Sequence, residues 1–117
     1  MEALLLAVGP DNAYLSAITV GELDYGIRVL PDGRRKARLE RWFERLCAEF
    51  AARVLPVERT TALRWSKLRS KGRRHGTAIP PIDGLIAATA LEHGLTVVTR
   101  NARDFAATGA QVIDPWD

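Results

Sequence analysis

The stretch PPIDGLIAATALEHG (Pro80 to Gly94) constrains the fold more than any other part of this chain. Two prolines suit a helix entry, where the missing N–H costs nothing and the fixed φ is already helical. From Leu85 to Leu91 the residues are small and apolar around most of the circumference, and a helix with no polar face has to be buried. The chain then passes directly into LTVVT (Leu95 to Thr99), a β-branched run without polar alternation, the pattern of a strand covered on both faces. A buried helix joined to a doubly covered strand requires layers on either side. The implied fold class is α/β, a sandwich around a parallel sheet flanked by helices.

The remaining segments supply those layers. Residues 2–8 read as the end of a helix stopped by Gly9-Pro10, and AYLSAI as a short strand. Thr19 then opens a helix running to Leu30. An amphipathic helix is predicted from Arg34 to Ala52, with Leu39, Trp42, Phe43, Leu46 and Phe50 recurring every three or four residues. RVLPV is a strand, and residues 58–71 form a helix with Leu63, Trp65 and Leu68 toward the core. RNARDFAATG is a loop and short helix, and AQVIDPW a last strand. With 117 residues and no linker, repeat or low-complexity tract, the chain is one domain, 1–117. No apolar run is long enough for a membrane helix. The single cysteine, Cys47, excludes an internal disulfide, fits the cytoplasm and reads as a core residue at helical spacing from Phe43.

Chemistry enters through three acids. Asp83 lies in the first turn of the apolar helix, where a carboxylate suits the helix dipole. Glu22 closes the pattern Thr19-x-x-Glu22, which reads as a capping box. Asp104, in TRNARDF, is placed to cap a helix beginning near Phe105. Each acid thus has a structural role available to it. Taken together they point elsewhere, because Glu22 and Asp104 follow the carboxyl ends of strands and Asp83 heads a helix that packs on the same sheet. In parallel α/β sheets that rim is where sites form. Carboxylates gathered there repel one another unless a cation neutralises them, and oxygen donors without a His/Cys cluster favour Mg²⁺ or Mn²⁺ over zinc. Thr99 and Asn101 add polar groups at the same strand end. There is no Walker loop, no G-x-G-x-x-G and no CxxC, and His75 and His93 have no nucleophile at motif spacing.

The net charge is +3, with basic residues gathered in RRKARLER (Arg34 to Arg41) and KLRSKGRRHG (Lys67 to Gly76). These read either as solvated faces or as contacts for phosphates or an acidic partner segment.

YLSAITVGELDYGI, IPPIDGLIAATALEHGLTVVTRNARDF and the closing DPW resemble the PIN-domain toxins of VapBC-type toxin–antitoxin pairs, in particular the FitB-like branch. The similarity runs over almost the whole chain, and the combination E…D-x-x-I-A-A-T-A…T-R-N-x-x-D-F is what makes it specific. The resemblance implies a three-layer sandwich and a Mg²⁺-dependent endoribonuclease that acts as a toxin, with tRNA or ribosomal RNA as substrate class. It also implies a homodimer, a cytoplasmic location and a cognate antitoxin that covers the site. Residue by residue, Glu22, Asp83 and Asp104 match acidic catalytic and metal-binding positions. Asn101 matches a position that is Asp in some members, Thr99 the polar residue ending that strand, and Arg100 is a candidate for holding the RNA backbone. Family members begin with a central strand ending in a metal-binding Asp, whereas this chain resembles the family from the following helix onward. The expectation is therefore an N-terminally truncated PIN-like domain lacking its first central strand, the mark of a late start site or a truncated gene.

Overall fold

The computed structural model describes residues 5–9 and 12–115, which fold around a five-stranded sheet. In chain order the elements are β1 (Leu5–Gly9), β2 (Asn12–Ser16), α1 (Ala17–Arg28), α2 (Arg34–Glu49), β3 (Val54–Leu55), α3 (Arg59–Arg74), α4 (Pro81–His93), β4 (Thr96–Val98), a 3₁₀ helix (Ala102–Thr108) and β5 (Val112–Ile113). The strand order is β3-β2-β1-β4-β5. β3 is parallel to β2 and β5 to β4, while β1 is antiparallel to both its neighbours, so four of the five strands run the same way. The mostly parallel α/β sandwich implied by the sequence is thus what forms.

The helix predicted over residues 2–8 is corrected within the described part of that range, where Leu5–Gly9 is a strand. It fills the centre of the sheet, the place where the resemblance left a strand wanting. Leu6 stands opposite Tyr14 on one side and Val97 on the other and is fully buried. The physical reason is pairing. A gap between β2 and β4 would leave backbone donors and acceptors of both without partners in the interior, at about 1–3 kcal/mol for each group. An apolar run of five residues is as good a strand as a helix end when such pairing is on offer. The direction is reversed relative to the other four strands, and a register irregularity lies between Ala7 and Gly9.

α4 is the apolar helix that the sequence announces. Gly84 and the run Ile86 to Ala90 are buried, and Ile86, Ala87 and Ala90 form the core with Leu6, Leu95, Val97 and Phe105. Its small residues are required by close packing. A Cβ on Gly84 would stand 3.1 Å from Ile79 and 3.3 Å from Trp65, and Trp65 Nε1 donates to the Pro81 carbonyl at 2.9 Å. The helix ends at Gly94, whose φ of 65° is the left-handed conformation open to glycine.

α2 carries no fully buried residue, so the amphipathic run that predicted it forms an outer layer beside α1 rather than core. Cys47 is correspondingly half-buried, not a core residue. Leu63, predicted as core, is exposed, whereas Leu68 packs against the core cluster. No helix among the described residues is long and apolar enough to cross a membrane.

The far end of α4 is tied to α3 by Glu92, whose carboxylate accepts hydrogen bonds from the Thr60 and Thr61 hydroxyls. The Thr60 bond foremost, then that of Thr61, holds this carboxyl below the usual range. A carboxylate depressed in the folded state stabilises the fold above its unfolded pKa of about 4.3, and this contribution is lost as pH falls further. Thermal unfolding across a pH series should therefore show the parent losing stability relative to Glu92→Gln below that pH. Parallel curves would mean that the two hydroxyls do not favour the ionised form.

Candidate active site

The geometry of the site begins with the end of β2. Ser16, not Thr19, is the N-cap of α1, with φ −75° and ψ 144° and its hydroxyl accepting from the Ile18 amide at 3.1 Å. The capping box read at Thr19 and Glu22 does not form, because the helix has already begun at Ala17. This displacement changes what both residues are for. Thr19 is turned inward, only 4% exposed, and its hydroxyl is the one buried side-chain polar atom without a hydrogen-bond partner among the described residues. Such an orphan costs about 1–3 kcal/mol. Glu22 lies one turn further along the same face and is exposed to solvent.

Asp83 is the third residue of α4 after the N-cap Pro80 and is half-buried. The Pro80 carbonyl accepts from the Gly84 amide at 2.8 Å, which fixes the first turn and the direction from which Asp83 leaves it. Thr19, Glu22 and Asp83 line a single open cleft of about 540 Å³ between α1 and the start of α4, with Leu23, Ile27 and Ile86 contributing its apolar wall. Arg35, from the first turn of α2, is also at the cleft.

The residues after β4 are arranged differently. The Thr99 hydroxyl, fully buried, accepts from the Asn101 amide at 3.0 Å and so shapes the turn leaving the strand. Asn101 precedes the 3₁₀ helix and accepts from the Asp104 amide through its carbonyl at 3.0 Å. Asp104 lies inside the first turn of that helix rather than capping one near Phe105, and it is exposed, as is Arg100. None of these four lines the cleft, and no three His, Cys, Asp or Glu side chains among the described residues are grouped closely enough to hold a metal ion. Glu22 and Asp83 thus line one cleft, and Asp104 is not among its lining residues.

Two carboxylates and an unpartnered hydroxyl are all hard oxygen donors. That set fits Mg²⁺, which keeps several waters and is commonly held by one or two carboxylates plus substrate phosphates. Sequence reasoning missed both Thr19 and Arg35 as residues of the cleft. The signal for the first was Ser16, a better N-cap three positions earlier; Arg35 was hidden within a basic cluster. Thr19→Val should stabilise the protein by about 1 kcal/mol in urea unfolding, since it removes a buried unsatisfied hydroxyl. A loss of stability would mean that the hydroxyl is already satisfied.

The PIN domain family matches residues 1–111 of the chain. The chain belongs to the PIN-domain family. Among relatives, Toxin FitB of Neisseria gonorrhoeae is 42% identical over 107 residues, covering 91% of this chain and 77% of the relative. VapC ribonuclease Y4jK of Sinorhizobium fredii is 37% identical over 108 residues, covering 92% and 77%. The crystal structure of FitAcB from Neisseria gonorrhoeae superposes with a TM-score of 0.82 at 42% identity, covering 88% of this chain and 75% of that one. Within the PIN-domain family the chain thus stands in the FitB-like branch of VapBC-type toxins. The cleft between α1 and α4 of this PIN domain is lined by two acids, Glu22 and Asp83, and by Thr19.

Proposed function

We propose that this chain is the toxin of a toxin–antitoxin pair and a Mg²⁺-dependent endoribonuclease, with Glu22 and Asp83 as its central acids. The observation that carries the reading is the shared cleft, lined by the two acids and by Thr19, whose buried hydroxyl has no hydrogen-bond partner among the described residues. Kinship with a protein named as a ribonuclease supplies the reaction class. Resemblance to the FitAcB structure supports a cognate antitoxin as partner. A homodimer, a cytoplasmic location and tRNA or ribosomal RNA as substrate belong to the same proposal.

In this mechanism Glu22 and Asp83 would hold Mg²⁺, with Mn²⁺ as an alternative, and the Thr19 hydroxyl would lend a further oxygen. Bound there, the ion would supply an acidified water and neutralise charge on the phosphoryl oxygens. The rest falls to the protein. The apolar wall of Leu23, Ile27 and Ile86 lowers the local dielectric, which strengthens electrostatic interactions within the cleft. Arg35 offers a guanidinium to the phosphodiester, and Arg100 is a candidate to steer the backbone from beyond β4. Asp104, with Thr99 and Asn101 shaping its turn, contributes negative charge near the strand end and is assigned a supporting role.

The test is cleavage of bulk tRNA and ribosomal RNA by the purified chain, with Mg²⁺ and with a chelator. The proposal expects cleavage that requires the ion. A second reading, a binding module that engages antitoxin or another toxin protomer without cleaving, is favoured by one observation: no third acid joins Glu22 and Asp83 among the described residues. Absence of cleavage with retained antitoxin binding would select it.

A further inference from the structure

α3 is unusual in charge. Arg59–Arg74 contains seven basic residues and no acid, far more than the one or two cations that a helix C-terminus favours through its dipole. Spacing places Ser66, Arg69, Ser70 and Arg73 on one face. That face forms one wall of a second groove, about 580 Å³ in volume, whose other wall is the segment from Gly76 to Ile79; none of its lining residues is acidic.

Two details show that the groove is held in shape. The Arg69 guanidinium carbon lies 4.7 Å from the centre of the Trp65 ring, and Trp65 is itself fixed by its bond to the Pro81 carbonyl. A guanidinium stacked on an aromatic face keeps its N–H edge for hydrogen bonding, the geometry suited to phosphate. The opposite wall is fixed by the Thr77 amide donating to the Gly72 carbonyl at 2.7 Å, an approach so close that a Cβ on Gly72 would meet the Thr77 carbonyl oxygen at 2.6 Å.

The groove ends at Ile79, whose side chain abuts Gly84 at the start of α4. Asp83 leaves that same first turn toward the acid-lined cleft. A chain of phosphates lying along α3 is thereby led to the carboxylates, which by themselves repel it. We propose that the groove between α3 and residues 76–79 is a docking site for the phosphate backbone of RNA. The choice of RNA as occupant rests on the ribonuclease reading; the phosphate chemistry rests on Arg69, Arg73 and the Ser66 hydroxyl, since the Ser70 hydroxyl donates to the Lys67 carbonyl at 3.1 Å.

The test is binding of fluorescently labelled bulk tRNA, without divalent ions, over a series of salt concentrations. The parent should bind with affinity that falls steeply with salt. Arg69→Gln/Arg73→Gln should bind about tenfold more weakly at low salt and reduce the slope of log K against log salt by about one to two units. The control Arg38→Gln/Arg41→Gln on α2 removes the same charge and should keep most of both. No binding by the parent, equal losses in the two double variants, or an unchanged slope in the groove variant would each overturn the docking site. So would loss of polyglutamate binding in the groove variant with tRNA binding intact, which would assign the groove to an acidic protein segment. Binding is read without cleavage, so a chain that binds through the groove yet never cuts RNA refutes the ribonuclease reading alone.

Discussion

Leu6→Asp should leave the protein largely unfolded. Leu6 is fully buried in the central strand, opposite Tyr14 and Val97, and belongs to the core formed with Ile86, Ala87 and Phe105. Truncation to alanine there would cost about 2–5 kcal/mol, a large share of a usual total of about 5–15 kcal/mol. An aspartate adds an ionised group with no partner in the core, which exceeds what such a domain can absorb. Far-UV circular dichroism and urea unfolding of Leu6→Asp and Leu6→Ala would check this. The alanine variant should fold with a lower urea midpoint and the aspartate variant should not fold. If residues 5–9 were instead the outer end of a helix, both substitutions would be mild.

Glu22→Gln and Asp83→Asn should each slow RNA cleavage on the order of 100-fold, the scale at which loss of one preorganised electrostatic group shows in rate. Neither change should unfold the protein, because Glu22 is exposed and Asp83 only half-buried. Residues that act as one unit are strongly non-additive. The double variant should accordingly be about as slow as the slower single variant. Multiplying effects would mean that the two acids serve separate roles, despite lining one cleft. Asp104→Asn, whose side chain stands outside that cleft, should have a smaller effect than either.

The sequence was most legible where pattern and environment agree. The run Ile86 to Ala90 has no polar face and is buried, and its helix is followed by β4, with Val97 fully covered, as the lack of alternation predicts. Leu5 to Gly9 misled because a short apolar run has no period of its own. Its identity as a strand comes from the vacant hydrogen-bonding positions on β2 and β4, which no local signal records. Thr19 and Glu22 misled for a different reason. The spacing of a capping box is present, yet Ser16 stands at the point where β2 ends and satisfies the helix first. Correcting that one residue converts Glu22 from a cap into a cleft acid and exposes the orphaned Thr19 hydroxyl. Glu22 and Asp83, about sixty residues apart in the chain, share a cleft because α1 packs on α4, and strand ends and helix placement in the sequence already put both acids on one rim.

The central claim is that Glu22 and Asp83 hold a divalent cation between α1 and α4. Its most direct measurement is Mn²⁺ binding to the purified chain, followed by electron paramagnetic resonance, with Mg²⁺ as competitor and Asp83→Asn alongside. Binding that Mg²⁺ displaces and that Asp83→Asn loses is the result expected. Equal Mn²⁺ binding by the parent and Asp83→Asn would contradict it.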